Sequence, residues 1–445
     1  MATFFPMEQM VVVGAGPVGM TVAALCAEQG VTPILVERRM ERPEGSRAIG
    51  VTPASLEIFG RIGLDTAMLE RGVMVRAAYV HNAYRKLGRL GFSEISGRHP
   101  YILVLPQADT EELLLRYLKE HGIVVHEGWT VENLSEADKA QESVRIGLRR
   151  TGGGVLEGTH SVSSDTAELH SEYVVCADGF RGGLAAQLGL ASPPRYMPYH
   201  FVMGDFHDRS SLGADAHLWF TSSGAVESFP LPAGRRRWIA QLSTGLSKKI
   251  SKDLSREPID NLATLEHLVY ERSGFTLHSE DCSWRSTFQP VRRIAAAAAV
   301  GRCFLAGDAL HAMSPIGGQG MNSGIADAEL LSELLSSLLR VSNAAVSSKA
   351  AHCSTSGERI LSLEQARKVY SRARVRSGSS AASRAGIGTH IGSLRGRIGS
   401  GLRSTLIQAA LNSPLQKHLA SHFAMRTIPY RRAMHVLSGS TVSET

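Results

Sequence analysis

This sequence has no long apolar run, no paired cysteines and no basic tract, and each absence removes a class of protein. The five cysteines (26, 176, 282, 303 and 353) are odd in number and scattered, with no CxxC and no matching histidine spacing. That pattern argues against a disulfide framework and against a metal site, and it points to a reducing compartment. The apolar stretch Met10–Cys26 is broken by three glycines and a proline, and no basic segment precedes it. Neither a signal peptide nor stable membrane insertion is therefore expected, and the expected location is cytoplasmic. Net charge is a modest +7, and the densest basic cluster is Arg235-Arg236-Arg237. Such a bias suits anionic small molecules better than nucleic acid.

What is present is ordinary for a soluble globular chain: 43% apolar and 20% charged residues over 445 positions. That length allows roughly two or three domains. The first informative motif follows the β-branched run Met10–Val13. It reads GAGPVG from Gly14 to Gly19 and continues as a helix from Met20. Gly14 permits a tight turn, Gly16 lets a pyrophosphate approach the backbone, and Gly19 lets the helix pack on the strand; Pro17 belongs to the same cradle. A second strand, Pro33–Val36, ends at Glu37, 18 residues after Gly19, where a carboxylate can take a ribose 2′-hydroxyl. Strand, glycines, helix and acid together predict a dinucleotide site. The acid argues against NADP here and leaves NAD and FAD open. Arg38 follows directly, and Arg47, in a Ser-Arg-Ala-Ile-Gly turn, is placed to reach a phosphate.

Ser55–Phe59 and Leu64–Leu69 read as helices by apolar spacing. Short strands follow at 77–81, 87–92 and 102–105, then Gln107 and a helix over Asp109–Glu120 with an acidic first turn. The polar excursion 149–171, with Gly152-Gly153-Gly154 inside it, reads as a hairpin loop. The next strand ends at Asp178-Gly179, a second carboxylate at a strand end. Residues 191–290 turn mostly strand-like, and the nucleotide-binding pattern resumes at Gly301. The economical organisation is an α/β fold with a discontinuous nucleotide-binding domain (1–75, 106–190 and 290–340). It carries an inserted, mostly antiparallel β-sheet substrate domain (76–105 and 191–289). A C-terminal, mostly helical segment (341–445) begins with a flexible Ser/Ala-rich loop at 343–358. Helical stripes over 402–437 read as a cap packed on the core rather than a membrane-surface face.

The chain's centre of interest is Phe304–Ala328, FLAGDALHAMSPIGGQGMNSGIADA. A buried strand ends at Gly307-Asp308. A turn carrying Pro315 and Gly317-Gly318 leads to a helix opening around Gly320-Met321-Asn322. Asp308 can accept hydrogen bonds from hydroxyls, and the helix N-terminus offers free N–H groups and positive dipole charge to an anion. A polyhydroxylated, partly anionic ligand belongs between them.

GAGPVG with Glu37, then Asp178-Gly179, then GDALHAMSPIGGQGMNSGIADA occur in that order. Together they resemble the para-hydroxybenzoate-hydroxylase-type, single-component (group A) FAD-dependent monooxygenases, over residues 9 to about 376. The resemblance implies a Rossmann-like domain holding FAD tightly and non-covalently, with NAD(P)H as co-substrate. By the same match, the first motif holds the ADP moiety, Asp178 serves FAD and NAD(P)H, and Gly307-Asp308 meets the ribityl and pyrophosphate region. Pro315, Gly317, Gly318, Gly320, Met321 and Asn322 would lie against the isoalloxazine. Arg47 and Gln107 match FAD-contacting positions, and Tyr370 and Arg374 fall where the family often has a YEAER-like helix.

The implied activity is hydroxylation of an aromatic, phenolic or polyketide-like molecule with oxygen, through a flavin C4a-hydroperoxide. The lack of a second GxGxxG fits, because the family docks NAD(P)H without its own Rossmann domain. Pro315 and His311 flank the expected site, with a structural role expected of His311. Tyr79, His81, Tyr196, His200, His217 and Arg237 are candidates, by location alone, for activating a phenol. Longer members carry a thioredoxin-like C-terminal domain; about seventy residues follow Arg374, so none is expected here. A halogenase is disfavoured because the four tryptophans are isolated. The alternative is an FAD-dependent reductase, dehydrogenase or epoxidase of an isoprenoid or quinone-type substrate. Oligomeric state stays open, a homodimer included.

Overall fold

The chain is described here by a computed structural model. It covers all residues except 1–6, 43, 44, 46, 137–142, 152–159, 164, 244, 246–260, 316, 317, 347–360, 393–396 and 427–445. The strand Met7–Val13 is central to a parallel core, and its apolar residues Met10 to Val13 are buried. Ile34–Glu37 pairs on one side, with Val13 opposite Val36, and Thr166–Cys176 on the other, with Val13 opposite Cys176. Cys303–Leu305 lies beyond, Leu305 meeting Cys176, and Val125–Glu127 flanks the other side. The chain leaves Met7–Val13 toward one side and returns on the other, which makes this edge a switch point. Because the strands are parallel and in register, Gly14, Glu37, Asp178 and Gly307-Asp308 follow strand ends along one edge.

Two glycines set the geometry of the first turn. Gly14 has φ +100°, and a Cβ there would meet the Ala177 carbonyl oxygen at 2.4 Å. A Cβ on Gly19 would fall 1.9 Å from the Gly14 carbonyl oxygen, so glycine alone lets the helix Pro17–Ala27 sit this close.

A second sheet runs in the order Cys282–Phe288, Phe201–His207, Arg235–Gln241, Ala225–Leu231, Ala216–Phe220, Ala77–His81, Lys86–Gly91. Its neighbours are antiparallel except Ala216–Phe220 with Ala77–His81. The helix Asn261–Ser273 covers one face through Leu265, Leu268 and Val269, packed on Val202, Trp238 and Ala240. The other face is turned to a cavity.

Three expectations need correction. Ile102–Val104, grouped with the substrate sheet from its pattern, pairs instead with Gly50–Val51 and Val73–Val75. Its Leu103 is buried in the core of the nucleotide-binding sheet with Val51 and Phe59, while Val104 packs with Val80 and Leu90 of the second sheet, so the strand sits between the two. The helix Gln319–Val346 continues through 343–346, where the composition reads as loop; Ala344 and Ala345 favour helix. The strand Thr166–Cys176 begins inside the expected excursion. Gly152–Gly154, Gly317, residues 347–358 and the helical stripe beyond 426 lie outside the described residues.

The long helices Gln319–Val346 and Leu363–Gly392 pack together on the nucleotide-binding side. Beyond them Arg397–Leu411 and Leu415–Phe423 fold back, placing Leu411 and Ala420 against Val80, Leu87 and Leu90 of the second sheet.

Candidate active site

A cavity of about 1790 Å³ runs from the strand-end edge to the inner face of the second sheet. Single small-molecule sites usually occupy roughly 300–1,000 Å³, so the space suits more than one ligand. At one end lie Gly14, Gly16 and Pro17. Gly16 caps the helix and Pro17 opens it, and a Cβ on Gly16 would meet nothing within 4 Å, so the backbone there is open to a ligand. Glu37 lies beside them; its Oε2 accepts from the Ala15 N–H at 2.9 Å and its Oε1 from the Arg39 N–H at 3.0 Å. Burial works against charge on Glu37, but the Arg39 and Ala15 bonds outweigh it and hold the carboxyl below its ordinary range. An ionised acceptor therefore stands at the strand end. Arg38 and Arg47 are exposed and also line the cavity, as does Gln107, whose amide donates to Glu111 at 2.7 Å.

Asp178 accepts from the Leu184 N–H at 3.1 Å through Oδ2, while its Oδ1 is buried with no partner among the described residues. Burial pushes its carboxyl up. An orphaned acceptor on a cavity wall calls for a donor from a ligand. Asp308 is accessible from the cavity, yet enough protein surrounds it that its carboxyl is also pushed up, with Asp327 adding to the effect. Pro315, Gly318, Gly320 and Met321 line the same wall, at the N-terminus of Gln319–Val346. Gly318 has φ +64° and open space where a Cβ would point.

Other expected residues stand behind this surface. Gly19 packs the helix on its turn, as above. Asn322 does not line the cavity: its amide donates to the Gly50 and Gly318 carbonyls and its Oδ1 accepts from the Thr52 N–H. It fastens the helix start to the Gly50–Thr52 segment. His311 is fully buried, with Nε2 at 2.8 Å from Asp327 Oδ2, and does not reach the cavity. Asp327 also accepts from the Gly307 N–H at 2.8 Å and from Arg374, while Tyr370 donates to the Leu305 carbonyl at 2.7 Å. Burial opposes charge on Asp327, yet His311 and Arg374 hold its carboxyl below the ordinary range. The knot fixes the turn that presents Asp308.

Of the phenol-activating candidates, Tyr196 lines the cavity. Tyr79, His81 and His217 do not, because side chains alternate along a strand. Ala78, Val80, Ala216 and Leu218 face the cavity, while His81 and His217 stack with Trp219 on the opposite face. Burial, then His217 and Lys86, pushes His81 down to about 4. Arg237 is held by Asp205 through two bonds of 2.6 and 2.8 Å, and His200 is buried outside the cavity wall.

Asp327 was not among the sequence candidates, and no local signal marks it, because the Arg374 it pairs with lies 47 residues on. Trp129, Thr130 and Val131, lining the cavity near Glu37, were missed too, as were Glu227 on the sheet face and Leu402, Arg403, Leu406 and Ile407 of the helix above it.

The residues fit a flavin dinucleotide. A cleared helix end suits the diphosphate, Glu37 and Asp308 suit hydroxyls, and the second helix end suits an electron-rich ring.

Comparison with known proteins agrees. Residues 7–361 match the family described as FAD binding domain. The chain is similar to 6-methylpretetramide 4-monooxygenase of Streptomyces rimosus, 30% identical over 75% of this chain and 56% of that protein. It is 28% identical to rifampicin monooxygenase of Streptomyces venezuelae over 72% of this chain and 62% of that protein. The chain thus spans less than two thirds of these curated relatives. Among solved structures, p-nitrophenol 4-monooxygenase of Pseudomonas putida has a TM-score of 0.76 at 18% identity, covering 99% of this chain and 100% of that one. Anhydrotetracycline hydroxylase of Streptomyces rimosus has a TM-score of 0.70 at 23% identity, covering 95% and 77%. Those two likenesses show the fold. With the three motifs meeting on one cavity and the match extending over residues 7–361, the chain belongs to the FAD-binding-domain family of para-hydroxybenzoate-hydroxylase-type flavin monooxygenases.

Proposed function

We propose that this chain is an NAD(P)H-dependent monooxygenase that uses FAD and oxygen to hydroxylate an aromatic, phenolic or polyketide-like small molecule. The observation that carries the reading is the continuity of the cavity, from the strand-end carboxylates to an apolar sheet face. FAD, when bound, supplies hydride acceptance and oxygen activation. The chain's residues supply the rest. Gly14, Gly16 and Pro17 open the helix end to the diphosphate, Glu37 takes a ribose hydroxyl, and Asp308 takes hydroxyls of the ribityl chain. The helix beginning at Gln319 directs its free N–H groups toward the point where reduction places negative charge. Arg47 and Arg181 line the same cavity and offer positive charge to the phosphates of a bound cofactor.

Leu218, Phe220, Phe229 and Ile239 below, with Leu402 and Leu406 above, exclude water from the place where a substrate would lie. An aromatic or polyketide-like substrate is supported by that lining and by the names of the relatives. Cys26, Cys176, Cys282 and Cys303 are free, and no helix among the described residues is long and apolar enough to cross a membrane. A cytoplasmic location is part of the proposal on those grounds.

The test is to purify the protein, record its flavin spectrum and screen phenols for stimulated NAD(P)H consumption under labelled oxygen. Label in a hydroxylated product supports the reading. Consumption that needs no oxygen, or a protein without bound flavin, overturns it.

A further inference from the structure

The inner face of the second sheet is apolar around one acid. Glu227 lies mid-sheet on Ala225–Leu231, paired across to Leu218 on one side and Ile239 on the other, with Ala225 and Phe229 next along its strand face. All four neighbours line the cavity, as Glu227 does, and Glu227 is only 7% exposed. Among the described residues none hydrogen-bonds or ion-pairs with it. Three other buried carboxylates are bonded to arginines: Asp205 to Arg237, Asp327 to Arg374 and Glu111 to Arg42. Arg403, which lines the cavity from the helix above, donates to the Thr221 carbonyl at 2.8 Å and lies over the Phe220 ring. A buried, unpaired carboxyl is costly unless something pairs with it.

We infer that Glu227 is the recognition residue of the cavity's apolar half, accepting a hydrogen bond from a hydroxyl on a neutral aromatic ligand and discriminating against a carboxylate there. This rests on the proposed aromatic substrate and narrows it. Burial pushes the Glu227 carboxyl up to about 7, so both of its protonation states are present near neutrality. A hydroxyl serves either state, because it both donates and accepts, whereas a carboxylate is repelled by the ionised one. A methoxy group has no donor to offer.

The test is calorimetric binding to the flavin-loaded protein, without NAD(P)H, of 2-naphthol, 2-methoxynaphthalene and 2-naphthoate. The wild type should bind 2-naphthol about tenfold more tightly than the methoxy compound, the size of one hydrogen bond to a buried acceptor, with 2-naphthoate weaker still. Glu227→Leu should abolish the preference and Glu227→Gln, which keeps an acceptor and a donor, should retain part of it; the flavin spectrum reports that each variant is folded. A preference that survives in Glu227→Leu, a wild type that does not distinguish the probes, or no saturable binding of 2-naphthol overturns the inference. Failure of the monooxygenase reading shows up separately, as missing flavin or missing oxygen incorporation in the wild type.

Discussion

At Asp308 the carboxyl reaches the cavity, while Asp327 behind it ties the same turn to the Gly307 N–H, His311 and Arg374. The two acids should therefore fail differently. On the proposed assignment Asp308→Ala removes a ligand contact, so it should lower FAD retention by about tenfold or more, read as the flavin-to-protein absorbance ratio after gel filtration. Normal retention would refute its assignment. Asp327→Asn leaves Arg374 buried beside a neutral amide, and breaking such a pair costs on the order of 3–5 kcal/mol. Denaturant unfolding should show that loss even with FAD in excess.

Glu227 gives a pH signature. Its carboxyl titrates near 7 in the folded chain against 4.5 when exposed. The folded state thus holds an extra proton between those values, and stability falls as pH rises through that window. Relative to Glu227→Gln, the wild type should match at pH 4.5 and trail by up to about 3 kcal/mol above pH 7. A constant gap across that range would show that the carboxyl is not perturbed. The turn glycines and the strand-end placement of the acids were legible because a tight strand-to-helix turn admits few residues at fixed spacing. Asp327 was not, since its partner Arg374 lies 47 residues on and no local spacing links them.

Among the elements, the helix Gln319–Val346 has two glycines that face different things. A Cβ on Gly320 would meet only Met313 Cγ at 3.9 Å, whereas a Cβ on Gly324 would fall 2.3 Å from Val18 Cγ2 of the opening helix. Gly320→Leu should therefore keep the fold and project into the cavity, leaving ADP affinity unchanged while weakening FAD; equilibrium dialysis with each nucleotide decides it. Equal loss of both would show that position 320 is structural. Gly324→Ala should disturb the packing of both helices and so weaken both ligands. The start of this helix and the strands of the second sheet were readable from apolar spacing. Which face of the sheet met the cavity was not. Helix Asn261–Ser273 covers one face and the cavity lies against the other, so both faces are largely apolar. The alternation that normally marks inside from outside is then absent, and Tyr79, His81 and His217 could be proposed by location only.

The whole molecule closes its cavity with parts distant in sequence. Gln416 donates to the Arg89 carbonyl and Arg85 to Gln408, tying the last described helices to the edge of the second sheet. The sequence showed that these helices are amphipathic, but an apolar stripe does not say what it covers. Leu402 and Leu406 are 63% and 61% exposed, yet both line the cavity. In the proposed reading they roof the space a ligand would fill, and this accounts for large apolar side chains left so exposed among the described residues. In the proposed reaction, that roof keeps water from the oxygenation site. Replacing both residues, Leu402→Ser with Leu406→Ser, removes no FAD contact named above, so flavin content should stay normal. Product formed per NAD(P)H consumed should fall several-fold, with hydrogen peroxide making up the difference, because an opened site admits water and loosens the substrate. Unchanged coupling in a variant with full flavin content would mean that these helices do not seal the site, and the apolar lining above Glu227 would need another purpose.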